Sequence, residues 1–160
     1  DQVIDTRTRG EIHAAGLRHR AVHILVFNHQ QQLFMQKRTM SKDINPGLWD
    51  TAAAGHVDAG EHYDDCAIRE IEEELGVNTP IPPELLFKLP AELNTGMEFV
   101  QVYRVFHDGP FELQPEEIET GDWFMQPEIS ERVSNDDPQL TKTFKTLWRH
   151  FETMNTGNNT

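Results

Sequence analysis

The chain has 160 residues, 37% hydrophobic and 9% aromatic, enough for one domain with its own core. Against 27 Asp and Glu stand 14 Lys and Arg, a formal charge of −13 at pH 7, so there is no basic footprint for a large nucleic acid. An anionic ligand would need a local basic patch, a metal ion, or both. No apolar run reaches the roughly 20 residues of a membrane span, and no signal-like segment stands in the first ten positions. The single cysteine, Cys66, leaves no intrachain disulfide, which fits a reducing compartment and makes the cytoplasm the expected location.

In chain order, weak alternation in "DQVIDT" predicts half of a small hairpin turning near Gly10. "HRAVHILVFN" (19–28) reads as a strand, and the polar turn "HQQQ" leads to a second strand over 33–38, paired with it as a hairpin. "SKDINPG" is a loop punctuated by Pro46-Gly47, and "LWDTAAAGHV" (48–57) reads as one inner strand rich in small residues. A helix is expected over 61–75, with acids in its first turn and Gly76 as its C-terminal cap. "ELLFKLP" and "MEFVQVYRVFH" are further strands; the second is apolar on both faces, which places it inside a sheet. "GDWFMQPEI" predicts a short strand running into a helix that starts at Pro127-Glu128. The stretch from Asp137 to Met154 predicts an amphipathic helix with Leu140, Phe144, Leu147 and Phe151 on its apolar face. The pattern is a mixed α/β layered domain covering residues 1–155, with a flexible tail at 156–160.

The stretch "REIEEELG" sets four carboxylates within five positions. At about 100° per residue, Glu70, Glu73 and Glu74 share one face, Glu72 points away, and Ala67, Ile68, Ile71 and Leu75 form a separate apolar stripe. Like charges at this spacing repel by only a few tenths of a kcal/mol per pair, so the run alone is compatible with a solvated face. Three carboxylates converging at i, i+3 and i+4 also suit a hard divalent cation, which takes oxygen ligands and completes its shell with water and phosphate. Arg69 stands beside them and can hold a carboxylate through paired hydrogen bonds.

With Gly55 and Glu61 at their distances upstream, the 23 residues "GHVDAGEHYDDCAIREIEEELGV" resemble the Nudix box of the Nudix hydrolases at every specified position. The resemblance implies an α/β/α sandwich with a mixed sheet, a catalytic loop-helix-loop and a C-terminal helix. It also implies hydrolysis of a diphosphate bond in a nucleoside diphosphate-type or related metabolite, by attack of water on phosphorus. Glu70, Glu73 and Glu74 would hold Mg²⁺ or Mn²⁺, with the Gly55 carbonyl as a further ligand; Glu73 and Arg69 would act in catalysis, Arg69 by orienting the glutamates, and Glu61 would support them from behind. A small-molecule diphosphate is the expected partner, and the chain is expected to be a monomer or homodimer.

The segment "LFMQKRTMSKDINPGLWDTAAAGH" is similar to the one before the box in isopentenyl-diphosphate isomerases and the hydrolases nearest them. That similarity marks Lys37, Arg38 and Lys42 as contacts to the diphosphate. It also sets His19 and His56 where the isomerases place metal ligands, with His56, adjoining the box, the better candidate and an expected substrate-binding residue. It sets Glu98 in line with an acidic residue of the isomerase strand. The isomerases carry a cysteine just before the Gly-His pair; Ala54 stands there in this chain, which disfavours isomerisation. A non-catalytic diphosphate-binding domain is the other alternative. An acid outside the box is expected as ligand or base, with Glu98 favoured over Glu117 and Glu119 because a strand start holds a side chain more rigidly. Trp49, Phe99, Tyr103 and Trp123 are candidates to line a pocket.

Overall fold

The computed structural model describes residues 2–157, and its sheet is built around the most apolar run in the chain, β1 (His19–Phe27), buried from Ala21 to Phe27. Strand β6 (Glu98–Phe106) lies parallel to β1 along its whole length, from His19↔Glu98 to Phe27↔Phe106. The antiparallel edge strand β5 (Glu84–Leu89) covers the far side of β6, so β6 is interior, as its two apolar faces require.

On the other flank, β2 (Leu33–Arg38) meets β1 only at Val26↔Phe34 and Phe27↔Leu33, next to the turn that joins them. Beyond that point β2 pairs with β7 (Ile118–Phe124) on one side and β3 (Trp49–Thr51) on the other. The strand expected over 48–57 is therefore two strands. Its first half, β3, bonds to β2, while its second half, β4 (Ala53–His56), bonds to the first half of β1. Because β1 and β2 diverge after two residue pairs, one unbroken ladder cannot follow both, and the chain changes partner at Ala52.

Period-two alternation sends Val22, Ile24 and Val26 to one face and Leu25 and Phe27 to the other. The first face is covered by α2 (Tyr63–Leu75) through Cys66, Ala67, Ile71 and Leu75. The helix ends at Gly76, whose φ of +68° lets its N–H reach the Glu72 carbonyl. The second face is covered by α3 (Gln126–Ser134), with Pro127 in its first turn, and α4 (Lys142–Gly157). Phe144, Leu147, Trp148 and Phe151 of α4 are buried there. The result is the expected α/β/α sandwich.

Two local expectations are corrected. Residues 2–8 pair with no strand; the chain instead enters a short helix, α1 (Arg9–Ala15). Its start is set by reciprocal bonds, the Thr8 N–H donating to the Glu11 carboxylate at 2.9 Å and the Glu11 N–H donating to the Thr8 hydroxyl at 3.2 Å. The last helix begins at Lys142, not Asp137, because Trp49 and Thr141 bond as short strand-like partners and Thr141 caps the helix through Phe144 N–H. Leu140 is buried but precedes the helix. The helix continues to Gly157, two residues into the expected tail; the rest of that tail lies outside the described residues. Trp148, 1% exposed and packed on both Phe144 and Phe151, should be the anchor of this layer. Trp148→Ala should destabilise the protein by about 3–5 kcal/mol in urea unfolding followed by circular dichroism.

Candidate functional site

Helix α2 lies against β4 so closely that the Glu70 carboxylate covers Gly55. A Cβ built on Gly55 would fall inside the Glu70 carboxylate, so only glycine lets that side chain rest on the strand backbone. One turn on, Glu74 accepts the Ala54 N–H at 2.7 Å and faces the Gln36 amide at 3.4 Å. Glu70 and Glu74 are buried, 8% and 5% exposed, whereas the Glu73 side chain is half in solvent. The shared acidic face is thus graded, two carboxylates inside and one at the mouth.

Arg69 organises the group. Its Nε and Nη2 donate to the two oxygens of Glu61 at 2.8 and 3.0 Å, and Nη1 donates to Glu70 at 2.8 Å and to Glu73 at 3.3 Å. Nη2 also donates to the His56 carbonyl at 3.1 Å, tying α2 to the end of β4. Glu61 sits ahead of the helix and accepts the Asp58 N–H at 3.0 Å, which ties it to the loop. The Arg69 hydrogen bond holds the Glu61 carboxyl down at about 2. Burial pushes Glu70 the opposite way, up to about 7, despite Arg69 beside it. Burial also raises Glu74 well above the carboxylate range, with the Glu70 charge adding to the effect.

These residues open into a cavity of about 340 Å³. Arg38 and Lys42 line it, as do His56, Glu98 and Glu117. Arg38 is braced by two bonds to the Ile44 carbonyl, at 3.2 and 2.9 Å, and Lys42 is paired with Glu117. Lys37 is different. Alternation along β2 sends Gln36 and Arg38 to the cavity and Lys37 to the other face, where it pairs with Glu119 at 3.1 Å; neither of these two lines the cavity. Lys37 and Glu119, expected as a diphosphate contact and a candidate extra acid, thus stand apart from the other expected site residues.

A second group of potential ligands stands at the same end of the sheet. His19, His56 and Glu98 bring one donor atom each to within 4.8 Å of one another. The registers explain this: β1 sets His19 opposite Glu98 on β6, and β4 ends with His56 two positions along β1, opposite Ala21. The His19 and His56 ring centroids are 4.5 Å apart. Cys66 is fully buried, donates to the His56 carbonyl and has its thiol pushed up by burial, so it does not stand in for a cysteine at Ala54.

Of the aromatic candidates, Trp49 and Trp123 pack against the core clusters and Tyr103 is fully buried, with its hydroxyl on Asp64 at 2.7 Å. Phe99 lines a separate cavity of about 610 Å³ between residues 2–7, α1 and β6. Three buried cavity-lining residues escape the sequence reading: His23, Gln36 and Asp50. Their signal is a polar residue inside an otherwise apolar strand.

Residues 17–144 match the family model of the NUDIX domain. The chain belongs to the Nudix family. Hydrolysis of pyrophosphate-containing compounds, generally with divalent metals, is the chemistry that goes with this family. An uncharacterized Nudix hydrolase of Yersinia pestis is 36% identical over 149 residues, which cover 92% of this chain and 80% of that protein. An isopentenyl-diphosphate Delta-isomerase of Serratia proteamaculans is 28% identical over 152 residues, covering 93% and 85%. The crystal structure of DR0079 from Deinococcus radiodurans superimposes with a TM-score of 0.82 at 26% identity, covering 94% of this chain and 93% of that one. No helix among the described residues of this Nudix chain is long and apolar enough to cross a membrane.

The buried acids give a pH signature. Where a carboxyl's folded value is raised, the folded state holds protons that the unfolded chain releases, so stability falls as pH rises from the ordinary carboxylate range to about 7. His23, lowered by burial, acts in the opposite sense below its usual value. In chelator-treated protein, the melting temperature should drop between pH 5.5 and 8 by roughly 5 °C more in the unmodified chain than in a Glu70→Gln/Glu74→Gln variant.

Proposed function

We propose that this chain is a divalent-metal-dependent hydrolase that cleaves a diphosphate bond in a nucleoside diphosphate-type or related phosphorylated metabolite, by attack of water on phosphorus. One observation carries the reading: two carboxylates one helical turn apart, Glu70 and Glu74, are buried, and the one arginine of the group bonds only Glu70 of the two. Burying two anions is costly unless cationic charge compensates them, and Arg69 is already shared with Glu61 and Glu73. The donor set is all oxygen, which suits Mg²⁺, or Mn²⁺ in its place. Glu70, Glu73, Glu74 and the Gly55 carbonyl would hold it. Such a cation supplies charge neutralisation for the diphosphate and polarisation of its phosphoryl oxygens.

The remaining work falls to the chain itself. Arg38 and Lys42 face the cavity and bind the diphosphate, Arg38 as a planar fork and Lys42 as a point charge. Releasing Lys42 from Glu117 on binding would free that carboxylate within the cavity. Arg69 keeps Glu70 and Glu73 aligned. Glu98, at the start of β6 and 4.0 Å from His19, takes up the proton of the attacking water. His56 adjoins the substrate end of the box.

The His19–His56–Glu98 group favours a second reading, isomerisation of an allylic diphosphate, since those ligands are the ones the isomerase resemblance points to. Ala54 and the inaccessible Cys66 speak against it, as proton addition and removal at carbon needs a positioned pair. Deuterium uptake into isopentenyl diphosphate without phosphate release would establish that reading instead. A non-catalytic diphosphate binder has no use for three convergent glutamates; tight binding without turnover would establish it.

With Mg²⁺, a panel of nucleotide sugars, dinucleotides, nucleoside di- and triphosphates and isoprenoid diphosphates should include at least one compound that is hydrolysed, and Glu73→Gln should lower that rate at least about 100-fold. A silent panel would sink the hydrolase reading. Gly55→Ala, which drives Glu70 off the strand, should weaken Mn²⁺ binding about tenfold by calorimetry while the protein stays folded.

A further inference from the structure

The 340 Å³ cavity is lined from β1 and β3 by buried polar side chains. His23 of β1 is 4% exposed and Asp50 of β3 is 6% exposed, and both line the cavity. Among the described residues, the one hydrogen bond of the His23 ring joins Nδ1 to the Thr51 hydroxyl at 2.8 Å. That hydroxyl has one proton and points it at the Ala53 carbonyl, 3.3 Å away, so toward His23 it is the acceptor. Asp50 Oδ1, 3.8 Å from the same Nδ1, favours the same tautomer, since a carboxylate prefers to face an N–H. The proton therefore sits on Nδ1, and Nε2 keeps its lone pair. Burial lowers the basicity of the ring and keeps it neutral. Asp50 spends Oδ1 on the Thr51 N–H at 2.7 Å, and Oδ2 has no hydrogen bond among the described residues.

We infer that His23 Nε2 and Asp50 Oδ2 form an acceptor subsite that selects diphosphates whose second moiety carries O–H or N–H donors, as sugars and ribosides do, over those with a plain alkyl moiety. The inference rests on the diphosphate reading of this cavity and names the chemistry of the half of the ligand that reading leaves open. Both residues are more than nine-tenths buried, so a ligand or water in the cavity is what can satisfy these acceptors. An alkyl chain displaces the water and leaves both without donors, and buried polar groups so stranded are the strongest basis for rejecting an analogue. A hydroxyl or amine replaces the water bond for bond.

The test is calorimetric binding with Ca²⁺ in place of Mg²⁺, using ADP-ribose and UDP-glucose against isopentenyl and geranyl diphosphates. At least one donor-bearing ligand should bind about tenfold or more tighter than either alkyl diphosphate. In His23→Asn, whose amide still reaches Thr51 but offers nothing at the Nε2 position, that ratio should fall at least tenfold. In His23→Gln, whose Oε1 falls near Nε2, most of it should return. Asp50→Asn should lower the ratio severalfold and serves as the second variant if His23→Asn melts early. Equal binding of both ligand classes, or a ratio unchanged in His23→Asn and Asp50→Asn, overturns the inference. Discrimination without any Mg²⁺-dependent turnover would leave it standing and remove the hydrolase reading alone.

Discussion

The contact between the Glu70 carboxylate and the bare backbone of Gly55 sets the spacing of everything else in the site. It brings α2 onto β4 without a side chain between them. Once α2 sits at that distance, Glu74 one turn later meets the Ala54 N–H, and Arg69 on the adjacent face reaches the His56 carbonyl. The helix is thus held to the strand by side-chain-to-backbone bonds at residues 54 and 56, with the Glu70 carboxylate resting on residue 55 between them. Its apolar stripe, Cys66, Ala67, Ile71 and Leu75, supplies burial but would tolerate sliding; these polar contacts define one position.

The electrostatics follow from that placement. A chain with a charge of −13 concentrates acids at one end of its sheet and answers them locally with a single shared guanidinium, not with matching lysines. Arg69 satisfies Glu61 fully and Glu70 and Glu73 in part, which explains why burial lifts Glu70 while Glu61 is held down. The deficit remains where Glu74 lies, furthest from the arginine's reach and most buried of the three. On the opposite wall, Arg38 and Lys42 come from β2 and the loop after it, so the two signs of charge are supplied by different layers of the fold.

Much of this was legible in the chain. The strands around 19–28, 33–38 and 98–106 and the helix ending at Gly76 follow from period and caps, and the three-glutamate face from spacing alone. What escaped depends on contacts between distant segments. Nothing local in "LWDTAAAGHV" says that its halves bond to different strands; that follows from the divergence of β1 and β2. Lys37 and Arg38 look alike in sequence, and only the register of β2 separates the one facing Glu119 from the one facing the cavity. The Thr8–Glu11 box was readable, but the alternation beside it suggested a strand. His23 and Asp50 looked like ordinary strand residues until the sheet put them on a common floor.

The bond from Glu74 to residue 54 uses only that residue's main-chain N–H. Its side chain therefore takes no part in seating the helix, although it faces the cavity beside Gly55 and His56. The bond that seats Glu74 is the same whatever side chain stands at this position. A substitution at 54 would therefore change the group presented to the cavity while leaving the anchorage of α2 on the main chain in place.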